Sequence, residues 1–162
     1  MTRRKSLAIY LLIFFLLSAC VPTVGQNYGN WQAELAKNRA KWDSQHITHY
    51  RFQVAPRINS SYSSTPLVIE VKDGSPISVV DIKGITHTVN AGNAILQYYS
   101  DLLTIADLFA YINDTYVGKP ESMRVTYDPV LGYPTTIDVN PYAEPCCASF
   151  TITISDFHVL SP

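Results

Sequence analysis

Residues 67–82 read LVIEVKDGSPISVVDI, and this stretch decides the fold. Leu67 to Val71 and Ile77 to Ile82 are rich in β-branched residues, with Asp73-Gly74 between them. Asp-Gly supplies the positive-φ positions of a tight two-residue turn, whose twist matches that of the strands it joins. An antiparallel hairpin is therefore expected mid-chain, and with it a sheet assembled from local hairpins in place of parallel crossovers.

Toward the N-terminus, His49 to Val54 (HYRFQV) alternates, with Tyr50, Phe52 and Val54 on one face of a strand. Before it, Asn30 to Asp43 sets Trp31, Leu35 and Trp42 at helical spacing, with Asn30 as the expected N-cap. Toward the C-terminus, Thr86 to Ala94 fits a strand or a loop, and Asn90-Ala91-Gly92-Asn93 inside it favours a turn. Thr104-Ile105-Ala106-Asp107 fits a capping box with Asp in the place of Glu, and Ile105, Leu108, Phe109 and Ile112 form an apolar stripe behind it. That helix is expected to end near Tyr116, before Gly118 and Pro120. Met123 to Tyr127, Thr135 to Val139 and Phe150 to Phe157 read as three further strands. The order α-β-β-β-α-β-β-β implies an α+β fold: a single antiparallel sheet of five to six strands with two helices packed on one face.

The N-terminus reads differently. Arg3, Arg4 and Lys5 precede an unbroken apolar run, Leu7 to Leu17, of eleven residues. A bilayer-spanning helix needs ~20 apolar residues, so this run is too short to span and suits the core of a signal peptide. Leu17-Ser18-Ala19-Cys20 resembles, residue for residue, the lipobox of bacterial lipoprotein signals. The resemblance implies diacylglycerol on the Cys20 thiol, cleavage after Ala19, and often a further acyl chain on the new amine. Two or three chains anchor stably where one is marginal. The expected organisation is a signal peptide over 1–19, a lipidated Cys20 with a tether over 20–29, and one domain over 30–162. Val21, which is not Asp, directs the expectation to the outer membrane where the host has one.

Composition limits the partners. The chain has 12 Lys and Arg against 13 Asp and Glu; without Arg3, Arg4 and Lys5, nine cations face those thirteen carboxylates, a net of −4. A mildly acidic domain without a basic patch offers nothing to nucleic acid. The partners expected are the membrane, through the N-terminal lipid, and an envelope protein or the cell wall. No cofactor is implied.

The stretch from Val125 through Tyr127, Asp128, Pro129, Gly132, Tyr133 and Pro134 to Ile137 is similar to the YDP-x-x-G-[YF]-P-x-x-I signature of a family of small bacterial lipoproteins of unknown function. Asn38-x3-Trp42 with Tyr50-Arg51-Phe52, Val71-Lys72-Asp73-Gly74, and Thr104-Ile105-x2-Leu108-Phe109-x2-Ile112 resemble its other blocks in order, from about residue 35 to 157. The resemblance implies secretion and a shared fold, and brings no activity. Glu144-Pro145-Cys146-Cys147 departs from the family pattern, where a more acidic stretch without paired cysteines is expected.

Four groups of residues invite a chemical reading. With Cys20 lipidated, Cys146 and Cys147 are the remaining thiols. Cα atoms ~3.8 Å apart across one peptide lie below the usual disulfide range, so a bond between them is strained and readily reduced. A loop staple is the plainer reading; thiol/disulfide or soft-metal work is the alternative function. The segment Tyr127, Asp128, Pro129, Gly132, Tyr133, Pro134 is a candidate binding loop, although Asp-Pro and Gly also suit a rigid turn, with Tyr133 over the ring of Pro134. His46 and His49 have a spacing open to metal, but helix-end or surface histidines are the plainer reading and no metal site is assigned. Asp128 and Asp138 lack the buried setting of an acid pair. No G-x-S-x-G, phosphate loop or calcium loop occurs, so no catalytic residue is assigned and a non-enzymatic binding or structural role is expected.

Overall fold

Asp73 and Gly74 both take positive φ, 49° and 77°, so the mid-chain turn forms as the sequence requires. The computed structural model describes residues 30–58, 62–63, 65–88, 96–97, 99–141 and 149–161. Helix α1 (Trp31–Asp43) leads into β1 (His49–Ile58), a two-residue β2 (Tyr62–Ser63), and the hairpin β3 (Leu67–Lys72) and β4 (Ser75–Asp81). A 3-10 turn (Ser100–Leu102) precedes α2 (Ile105–Val117), which is followed by β5 (Ser122–Tyr127), β6 (Pro134–Asn140) and β7 (Phe150–Val159).

Every pairing is antiparallel, and six strands lie in the order β4-β3-β1-β7-β6-β5, with β2 paired to the end of β1. The fold is α+β in the expected element order. Two meanders, β1-β3-β4 and β5-β6-β7, meet where the first strand pairs with the last, from Tyr50–Val159 to Ile58–Phe150.

Period-two patterning gives the sheet two unlike faces. Tyr50, Phe52 and Val54 of β1, Leu67, Ile69 and Val71 of β3, Ile137 and Val139 of β6, and Ile152 and Ile154 of β7 are buried on one face. Both helices cover it: α1 through Leu35 and Trp42, α2 through Ile105, Leu108, Phe109 and Ile112. Trp31 at the start of α1 stacks on Tyr116 near the end of α2, 4.3 Å between centroids. The alternate residues, among them Arg51, Arg57, Thr153, Arg124 and Thr126, face away and are exposed.

Several boundaries differ from expectation for identifiable reasons. β1 continues past Val54 through Pro56 to Ile58. A proline is tolerated there because the β3 ladder has already ended at the Val54–Leu67 pair. β4 begins at Ser75 and stops at Asp81, so Ile82 is the first turn residue and not a strand end. Asn30 sits at the N-cap position of α1 but makes no side-chain capping bond. Thr104 does cap: its Oγ1 accepts the Asp107 amide at 3.0 Å. Of the segment Thr86 to Ala94, Thr86 forms an isolated bridge to Val80, and residues 89–95 lie outside the described residues.

Candidate functional site

The loop from Tyr127 to Pro134 joins β5 to β6 and rests on α1. Asp128 organises it. Its Oδ1 accepts the amides of Val130 at 2.9 Å and Leu131 at 2.6 Å. Its own amide donates to Tyr133 O, and its carbonyl accepts from Gly132. Pro129 O accepts from Lys41 Nζ of α1 at 2.8 Å. Gly132, at φ +85°, sits so close to α1 that an added Cβ would lie 2.6 Å from Asn38 O. Only glycine meets both demands.

The aromatics of the loop turn inward. Tyr133 is 9% exposed; it stacks on Phe157 at 4.5 Å and meets Trp42 edge-on at 6.2 Å. Tyr127 stacks on Phe109 of α2 at 6.4 Å, and Pro134 is buried. Burial raises the Tyr127 and Tyr133 hydroxyls above their ordinary range, with the Asp128 charge adding to the rise at Tyr133. The motif thus ties the β5–β6 hairpin to α1, through contacts no single segment of sequence displays.

The other candidates that fall among the described residues lie apart from it. Cys20, Cys146 and Cys147 fall outside the described residues. Asp138 is four residues into β6, cross-strand from Arg124, so it and Asp128 do not form a pair. Both ring nitrogens of His49 face acceptors, Ser161 O at 2.6 Å and Glu70 Oε1 at 2.9 Å, while His46 stands in the exposed turn after α1. Among the described residues, no group of three or more His, Cys, Asp or Glu side chains is placed to hold a metal. None of the described helices is long and apolar enough to cross a membrane.

Two features were not read from the sequence. At the ends of β5, β6 and β7 lies a cleft of about 450 Å³, lined among others by Arg124, Asp138, Asn140 and Thr151. These residues alternate with core positions, so the pattern marks them only as solvent-facing. The second is a nearly buried Asp81 with His87 beside it, Oδ2 to Nε2 3.5 Å. The Ile85 amide chiefly, then those of Lys83 and the His87 ring, lower the Asp81 pKa against the opposing effect of burial. Its partners follow it in the chain, and Asp before Lys-Gly is a legible turn signal.

A family model described as a family of unknown function (DUF6174) matches residues 34–159. No curated protein matches the chain.

Proposed function

We propose, for a chain that belongs to the DUF6174 family of unknown function, that it is a lipid-anchored envelope protein whose domain binds a partner without catalysing a reaction. The anchor rests on Leu17-Ser18-Ala19-Cys20 behind the basic and apolar run. The observation that carries the domain's role is the internal use of its most distinctive motif. The Asp128 carboxylate is engaged by two amides, Gly132 abuts α1, and Tyr133 and Pro134 are in the core, so the motif reads as scaffold. The surface left for recognition is the sheet face that no described element covers, with Arg51, Arg57, Arg124, Thr126 and Thr153, and the cleft at the strand ends.

Two measurements test this. Mass spectrometry of the N-terminal peptide from membranes should give Cys20 carrying diacylglycerol, and Cys20→Ser should release the precursor from that processing; an unmodified Cys20 would end the anchor reading. A photo-crosslinker at Thr153 in intact cells should capture a discrete partner, while one at Lys37 on the outer side of α1 should not. Equal capture from both positions would remove the assignment to the sheet face.

A further inference from the structure

The turn that follows β4 holds two large apolar side chains in solvent by an ordered set of hydrogen bonds. Asp81 is 9% exposed and turns its carboxylate back on the chain. Oδ1 accepts the amides of Lys83 at 2.8 Å and Ile85 at 2.9 Å. Asp81 N donates to Ile85 O and Gly84 N to Asp81 O, after which His87 N returns to Val79 O. Thr86 bridges Val80, so the turn is closed on both flanks. The segment so fixed leaves Ile82 and Ile85 64% and 55% exposed, with exposed Lys83 between them.

Exposed apolar residues scattered singly are ordinary, and Val117, Val130 and Val159 are of that kind. Two isoleucines in one clamped five-residue turn form a tip. Because hydrogen bonds already fix it, little ordering entropy opposes its burial against a partner.

The anchor indicates what that partner is. Ten residues from Cys20 to Asn30 reach at most ~35 Å, and a domain of this size has a radius of gyration of ~14 Å, so much of its surface can meet the bilayer. Tethering makes that encounter intramolecular, and a contact too weak to recruit a free protein then becomes populated. Isoleucine suits the boundary between headgroups and acyl chains, and a flanking lysine suits the phosphates above it.

We propose that the Asp81–Thr86 turn docks on the anchoring bilayer, with Ile82 and Ile85 in the interfacial layer and Lys83 on headgroup phosphate, and so fixes the orientation of the domain. This inference rests on the lipid-anchor reading. The test uses the full lipidated chain in vesicles of phosphatidylcholine and phosphatidylglycerol with brominated acyl chains, recovered by flotation. Tryptophan is placed by Ile82→Trp, at an exposed position that leaves the fold intact. The emission it adds to that of Trp31 and Trp42 should be blue-shifted and quenched about twofold by the brominated lipid. Val130→Trp, on the loop at the other side of the sheet, should add emission that is not quenched. A chain that does not float overturns the anchor and this inference together. A chain that floats with the Ile82→Trp emission water-like and unquenched overturns the docking alone. Equal quenching at both positions shows no fixed orientation and also overturns it, as does tip burial that appears only as a function of protein density on the vesicle, the sign of a second copy as partner.

Discussion

Gly132 shows how one residue carries a tertiary contact. At +85° its backbone is in the left-handed region, and its α-carbon faces α1 with no room for a methyl group. Gly74, at +77°, has the same backbone demand and nothing within 4 Å of an added Cβ. Alanine at either position should cost ~1–2 kcal/mol of backbone strain, and at Gly132 a further ~1–3 kcal/mol of overpacking. Urea unfolding of Gly74→Ala and Gly132→Ala separates the two contributions; equal losses would mean that the loop does not bear on α1. Asp81 gives a second prediction. Its folded pKa is below the ~3.9 of an unfolded aspartate, so between those values the unfolded state binds more protons and stability rises with pH. The contribution is whole above pH ~4 and lost as pH falls through the folded value. Asp81→Asn should therefore be less stable than the native chain at pH 7, with a gap that narrows as pH falls below ~4; a pH-independent gap would assign the effect to geometry alone. At this scale the chain was legible in its local turns, as at Asp73-Gly74, whereas the helix that Gly132 abuts lies some ninety residues away in sequence and leaves no trace beside it.

Helix α2 is fixed at its N-terminus by two groups of different origin. Thr104, the N-cap, satisfies the Asp107 amide, and its carbonyl accepts from Leu108. The phenol of Tyr50, reaching across from β1, accepts the Ile105 amide at 3.1 Å. Burial pushes the Tyr50 hydroxyl up to about 12, opposed by that amide, so it remains a neutral acceptor at ordinary pH. Thr104→Ala should cost about 1 kcal/mol, the usual worth of a cap. Tyr50→Phe should cost ~1–3 kcal/mol, because it strands a buried donor while keeping the ring against Trp42 and Phe157. Hydrogen exchange should then show the first turn of α2 opening ahead of β1. Uniform loss along the chain would instead place the effect of Tyr50 in core packing. The cap was legible because its signal is four residues long. The phenol was not, since the alternation in HYRFQV marks Tyr50 as inward-facing without naming what its hydroxyl meets. Helix α1 is a contrasting case: Leu35 and Trp42, one heptad apart, are its buried residues, and its spacing sufficed to read a helix without its cap chemistry.

Across the whole molecule, the hairpins β3–β4 and β5–β6 and both helices were readable because each is local, but the order β4-β3-β1-β7-β6-β5 was not. Neighbour relations between β1 and β7 join residues a hundred apart, and alternation says which face a residue takes, not which strand lies beside it. That pairing has a mechanical consequence. Each three-stranded meander has one edge on the other, and the core runs unbroken beneath both, from Val79 on β4 to Val139 on β6. Each half alone would expose its pairing edge at the seam and the core beneath it, so neither half should persist alone. Ile154 tests this, since it is 4% exposed on β7, paired with Val54 across the seam. Ile154→Ala should cost ~2–5 kcal/mol, the usual loss for a large-to-small change in a core. The loss should appear as one unfolding transition, with amide protection falling by the same factor at Val68 in β3 and Ile137 in β6. Protection that falls at Ile137 and holds at Val68 would divide the sheet at the seam into two units, and the domain would then be two meanders in contact in place of one cooperative fold.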